Sequence, residues 1–407
     1  MRRCRLVFAV VLMGAVLGNA GESAAQIPGH DNPPIAYEVG EWRFALGGFF
    51  QTGFEALGVD GDTIPEGSDE PHVGFLNLNA RLNFDLSYAK RLSVRLGLDG
   101  VANIETGGRT RQAFELKDAY VDFKAHAAAR LRLGQFKPPL DLENMISETA
   151  SNFARRSVVS TGGTREMMNR TVLNGGFSPG RQLGFSVYSD ILEIEHVGFR
   201  YHLAVTNGNR ATEVFNDDGH LAFYGRVEAL LMRSLLGDFR PGHFLSFAAG
   251  VAYGKTALNL TDAEGGALRA SGRQVTVSGD VRLDYAGVAV DVEALWRRYE
   301  HADVTHGIMD IDRLGVLAQA AYTLPITHWR FQLGYRFAML KPLLAGGKDL
   351  VASDLRQHTV ALGYFFENFP LTVRLEYTHN DEDDIVVNGV PRSLSNDSVL
   401  AMVQVVW

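Results

Sequence analysis

Six basic side chains gather in and beside one connection of this 407-residue chain: Lys137, Arg155, Arg156, Arg165, Arg170 and Arg181. Four acids share the segment: Asp141, Glu143, Glu148 and Glu166. The local balance is positive in a chain whose formal net charge is −8. Such a set suits binding rather than catalysis. Arginine can meet a phosphate or carboxylate with two parallel hydrogen bonds, which lysine cannot do. Cations gathered at a narrow point also focus a field that favours anions. The opposing reading is an external, solvated loop whose arginines pair with its own acids, and both readings stay open at this level.

Catalytic and metal-binding motifs fail on their chemistry. Gly176-Phe177-Ser178-Pro179-Gly180 has the G-x-S-x-G spacing of a hydrolase nucleophile. The residue after that serine must donate its backbone N–H to an oxyanion, and Pro179 has none. Asp60-Gly61-Asp62 starts like a calcium loop but lacks the later ligands. The 12 histidines show no H-E-x-x-H spacing, and no phosphate-cradling G-x-x-x-x-G-K-[ST] occurs. No catalytic residue, metal or cofactor is assigned. A membrane-barrel phospholipase or protease would need a Ser-His or Asp-His pair near its rim, and no local signature supports one.

The elements that must position the basic loop are strands. Across residues 76–88, Asn77, Asn79, Arg81, Asn83, Asp85 and Ser87 alternate with Leu76, Leu78, Ala80, Leu82, Phe84, Leu86 and Tyr88. One face is polar and the other apolar with period two. The same alternation returns over residues 91–99, 274–285, 288–297 and 371–378. A soluble antiparallel sandwich alternates too. These segments, however, are longer than the usual globular strand, and their polar faces carry both signs of charge at mid-strand. A transmembrane antiparallel β-barrel with a wet lumen explains both features.

About sixteen strands are expected, the first over residues 42–50 and the last over 398–407. Very short turns at Ala89-Lys90, Ala286 and Glu367-Asn368 alternate with long polar connections over residues 51–73, 255–272, 339–355 and 380–397. That asymmetry separates a periplasmic from an external rim. An even count leaves both termini at the short-turn side. Tyr88, Tyr285, Trp296, Tyr335, Tyr364 and Tyr377 fall toward strand ends on the apolar face, as an interfacial girdle requires.

The first 25 residues read as a secretory signal peptide. Arg2, Arg3 and Arg5 precede an apolar run over residues 6–17, and a small-residue stretch ends at Ser23-Ala24-Ala25. Residues 26–41 are then a short periplasmic segment and residues 42–407 the barrel. The single cysteine, Cys4, lies within the signal, so neither disulfides nor thiol chemistry is expected in the mature chain. Removing three arginines and one glutamate with the signal leaves 36 basic and 46 acidic residues. That balance excludes a nucleic-acid-binding role built on phosphate neutralisation.

The basic connection is the longest, about 44 residues over 137–180, and loops of that size are usually functional. It opens with Arg132-Leu133-Gly134-Gln135-Phe136-Lys137-Pro138-Pro139, continues through Asp141-Leu142-Glu143, and returns by Ser178-Pro179-Gly180-Arg181-Gln182-Leu183-Gly184. Entry and return resemble those of the phosphate-selective porin O/P family, with Asp141 where that family usually has glycine. The resemblance implies a 16-stranded porin, a homotrimer, whose long third external loop folds into the lumen. It also implies passive diffusion of small solutes across the bacterial outer membrane, with anions such as phosphate favoured; a non-selective general porin is the alternative. The terminal strand carries Val399, Ala401, Val403, Val405 and Trp407 on one face. Its aromatic end resembles the signal read by the barrel assembly machinery. The remaining expected partners are outer-membrane lipid and lipopolysaccharide. The run Asn380-Asp381-Glu382-Asp383-Asp384 is read either as a divalent-cation bridge to lipopolysaccharide or as a solvated acidic loop.

Overall fold

The computed structural model describes residues 35–58, 73–106, 109–162, 175–194, 197–208, 219–231, 244–261, 267–304, 307–324, 330–344, 354–366, 369–387 and 390–407. The strands are β1 (Ile35–Val39), β2 (Trp42–Gly58), β3 (Val73–Tyr88), β4 (Leu92–Thr106), β5 (Arg109–His126) and β6 (Ala129–Phe136). Then follow β7 (Gln182–Tyr188), β8 (Leu192–Ile194), β9 (Val197–Thr206), β10 (Ala222–Leu231), β11 (Phe244–Thr261) and β12 (Ala267–Tyr285). The last six are β13 (Val288–Val304), β14 (Gly307–Thr323), β15 (Arg330–Leu344), β16 (Asp354–Phe365), β17 (Leu371–Val387) and β18 (Val390–Val406).

All pairings are antiparallel and join chain neighbours, except that β7 reaches past β8 to β9 and β18 returns to β2, so the sheet closes. β7 and β8 both pair with β9 and together fill one position around the wall. β1 pairs only with the start of β2 and lies outside the ring, within the segment expected to be periplasmic. Sixteen positions remain, in the expected order.

Burial is inverted relative to a soluble protein. On β17, Arg374, Glu376 and Thr378 are 2%, 2% and 9% exposed, while Val373, Leu375 and Tyr377 are 38%, 49% and 45% exposed. Arg313, Arg336 and Arg374 are among the largest fully buried side chains. In water this arrangement would expose apolar surface on every strand; against hydrocarbon it is the favourable one. Among the described strands, closure also pairs both edges of each ring position instead of leaving them to lipid.

The tight turns follow from the register. Ala89 and Lys90 adopt φ of 49° and 55°, and Ala286 and Gly287 adopt 51° and 85°. Two consecutive positive φ values match the right-handed twist of the flanking strands; Ala286-Gly287 is a two-residue hairpin between Tyr285 and Val288, while Ala89-Lys90 carries Arg91 as a third turn residue before the Tyr88–Leu92 pair.

Two expectations change. Residues 51–58, 255–261, 267–272 and 339–344, read as loop, are paired strand, as are residues 381–387 with 390–396 apart from one irregularity. Above the membrane both faces of a hairpin meet water, so alternation fades while the backbone ladder continues. The unbroken alternation of residues 76–88 is also interrupted. Leu78 is the extra residue of a bulge opposite Gln51 and Thr52, and the facing reverses beyond it, leaving Phe75 exposed.

Candidate functional site

The connection between β6 and β7 is fastened to the inner wall at three places. Phe136 and Leu140 at its entry pack with Ala204, Ala222, Tyr224 and Ala252. The Leu140 carbonyl accepts from Ser278 Oγ at 3.1 Å and Arg226 Nη1 at 3.4 Å. A single-turn helix, α1 (Leu142–Met145), follows, and its Leu142 N–H donates to Glu293 on β13 at 2.8 Å. Asp141 caps α1 by accepting from Glu143 N–H at 3.0 Å, and its other oxygen accepts from Ser160 Oγ at 2.6 Å. The residue that departs from the family pattern therefore ties α1 to α2 (Val158–Thr161).

In the middle, the Ala154 N–H donates to Glu376 on β17, and Arg336 on β15 donates to the Arg155 carbonyl at 2.6 Å. At the return, Val158, Val159 and Phe177 pack with Leu295, Leu317, Ala338, Leu340 and Leu355. Arg297 donates to the Phe177 carbonyl at 2.8 Å. A Cβ at Gly315 would lie 2.7 Å from the Phe177 ring and 2.9 Å from Val159, so the bare backbone there admits the anchor.

The expected basic residues part company. Lys137, Arg156 and Arg181 converge, joined by Arg81 from β3, around Glu148 in a 3-10 turn, Glu148–Ala150. Arg81 Nη1 is 2.6 Å and Arg156 Nη2 3.5 Å from the Glu148 carboxylate. Arg181 is held by both oxygens of Asp118 at 2.8 and 3.1 Å. Arg155 turns away to an ion pair with Glu55 on β2. Arg165 and Arg170 lie outside the described residues.

Burial alone would push the Glu148 carboxyl up; Arg81, Lys137, Arg156 and Arg181 overcome it and hold the group well below the usual carboxylate range. Burial, reinforced by Arg156, pushes Lys137 well below the usual lysine range. Its Nζ rests on the Ile146 carbonyl at 3.4 Å. Arginine, which keeps its charge when buried, supplies the durable part of the cluster.

Two further wall arginines are held in ion pairs. Arg95 meets Asp85 at 2.7 and 2.9 Å, and Arg132 meets Asp122 at 2.8 Å through two nitrogens. Arg132 also lies 3.9 Å from the centre of the Tyr120 ring. Two cavities, of about 300 and 560 Å³, border the loop and share Arg132, Met145 and His202. The smaller is lined by Arg81, Lys137 and Arg181, and the larger reaches the turn at Ser189 and Asp190.

The signal that could have found Arg81 and its partners was hairpin register. The turn holds three residues, Ala89-Lys90-Arg91, between the paired Tyr88 and Leu92, and that sets Arg81 opposite Asp99 and Asp85 opposite Arg95. Nothing in spacing could bring Arg81 to Glu148, because that meeting needs the loop's path.

A closed sixteen-position barrel, apolar outside and charged within, is the construction of an outer-membrane channel protein. The family model for phosphate-selective porin O and P matches residues 73–407, and the chain belongs to that family. No curated protein matches it by sequence. An anion-selective porin from Comamonas acidovorans is similar in fold, with a TM-score of 0.54 at 14% identity over 90% of this chain and 100% of that one. OmpT, an outer membrane protein of Vibrio cholerae solved in a trimer form, gives 0.54 at 13% identity over 90% and 100%. The outer membrane channel DcaP of Acinetobacter baumannii gives 0.54 at 12% identity over 90% and 97%.

Proposed function

We propose that this outer-membrane porin passes small solutes by passive diffusion and favours anions, phosphate among them, where the third external loop narrows the lumen. The observation that carries the reading is the convergence of Arg81, Lys137, Arg156 and Arg181 beside a cavity, on a loop bonded to inward-facing residues around the wall. In a narrow, low-dielectric passage an excess of cations acts more strongly than on an open surface. The chain works without cofactor or catalytic group, is exported by its first 25 residues, and assembles as a homotrimer in contact with lipid and lipopolysaccharide.

Planar-bilayer recording tests this. A tenfold KCl gradient should give a reversal potential of the sign for chloride permeation. A potential near zero, or of the opposite sign, would reject the anion preference and leave a general porin.

A further inference from the structure

The cationic cluster is already occupied by a carboxylate of the chain itself. We propose that Glu148 is a tethered counter-anion that fills the anion position among Arg81, Lys137, Arg156 and Arg181, and that this keeps inorganic phosphate from being retained there.

The apolar anchors of the loop do not need Glu148. The loop is pinned by Leu140 at its entry and by Val158, Val159 and Phe177 at its return, on apolar surfaces distinct from the Glu148 cluster. Glu148 instead faces cations from three parts of the chain: Arg81 on β3, Lys137 and Arg156 in the loop, and Arg181 at the start of β7. Arg81 and Arg181 each hold one further acid, Asp99 at 3.2 Å and Asp118 at 2.8 Å. Three arginines, with Lys137 beside them, stand against three carboxylates with Glu148 and against two without it.

Arg81, Lys137 and Arg181 also line the smaller cavity, together with Ser147 and Thr149, whose hydroxyls share a 2.9 Å hydrogen bond. An oxyanion entering that cavity competes for Arg81 and its neighbours with the Glu148 carboxylate, which holds Arg81 from outside the cavity lining and is present at high effective concentration because it is tethered. A solute is therefore attracted by the residual field and released quickly. That suits passage more than storage.

The inference rests on the reading of the third loop as the anion-favouring element, and the test separates the two. Full-length wild type, Glu148→Gln, Glu148→Ala and the double variant Glu148→Gln/Arg81→Gln are compared in planar bilayers carrying KCl. Inorganic phosphate is titrated as the blocker, and heat-modifiable migration on gels checks that each barrel is folded. The KCl reversal potential of wild type without phosphate judges the parent reading alone. For the inference, Glu148→Gln should show half-block of chloride current at about tenfold lower phosphate than wild type. Glu148→Ala should behave likewise, and the double variant should lose the gain. Glu148→Gln no more phosphate-sensitive than wild type would overturn it. So would a variant that only conducts more, since Glu148 would then be a staple of the loop.

Discussion

Phe177→Ala should release the return arm of the third loop. The ring is fully buried among Val158, Val159, Leu295, Leu317, Ala338, Leu340 and Leu355. It also lies 4.8 Å from the Arg297 guanidinium and 5.3 Å from that of Arg313. Truncating a buried phenylalanine costs about 3–5 kcal/mol, the transfer loss plus the cavity it leaves. If that falls on docking, the ratio of docked to undocked arm drops by roughly a hundred- to a few-thousand-fold. The backbone bonds from Arg297 to the Gly176 and Phe177 carbonyls survive the substitution, so the barrel should still form. Single-channel recording should show larger and noisier conductance, and limited proteolysis of intact cells should newly cut within the loop. Phe177→Leu, which refills most of the space, should lie near wild type. Gly315→Leu should mimic Phe177→Ala from the wall side by occupying the ring's seat. Unchanged conductance, noise and protease resistance in Phe177→Ala would refute the claim that this contact holds the loop.

Three further outcomes are expected. Trp407, whose N–H and C=O both pair with Gly48 at 3.0 Å, closes the seam of the barrel, so Trp407→Asp should lower the outer-membrane fraction and raise the periplasmic one; equal fractionation would count against it. Arg156→Glu moves the local charge by two and should shift the KCl reversal potential toward cations, less so in high salt, whereas Asp381→Lys on the external extension should barely change it. Burial raises the Glu143 carboxyl above its usual range despite Arg336, so its contribution to docking is complete below the ordinary carboxylate value and lost as pH rises through the raised one. Loop protease resistance should therefore decline as pH rises above the ordinary carboxylate range in wild type and stay flat in Glu143→Gln, while Glu148, held low, titrates below that range; equal slopes would sink the assignment.

The wall was legible in the sequence because a barrel strand is governed locally. Lipid on one side and water on the other write their difference into every second residue, as in Arg374, Glu376 and Thr378 against Val373, Leu375 and Tyr377. Tight turns then limit which residues face each other, but the pairs of Arg95 with Asp85 and of Arg81 with Asp99 needed Arg91 as a third turn residue beside Ala89-Lys90, which only the structure showed. Where water lies on both faces the pattern disappears, and the extended hairpin at residues 381–396 was invisible for that reason.

The loop is another matter. Its charges could be counted in the sequence, but their partners could not, since no period governs an irregular segment. Only the folded barrel decides that Arg155 meets Glu55 on β2 while Arg156 meets Glu148. It decides too that Val158, Val159 and Phe177 find an apolar patch on an otherwise polar inner wall. Those contacts join residues far apart along the chain, and the geometry that brings them within reach exists only once all sixteen positions have closed.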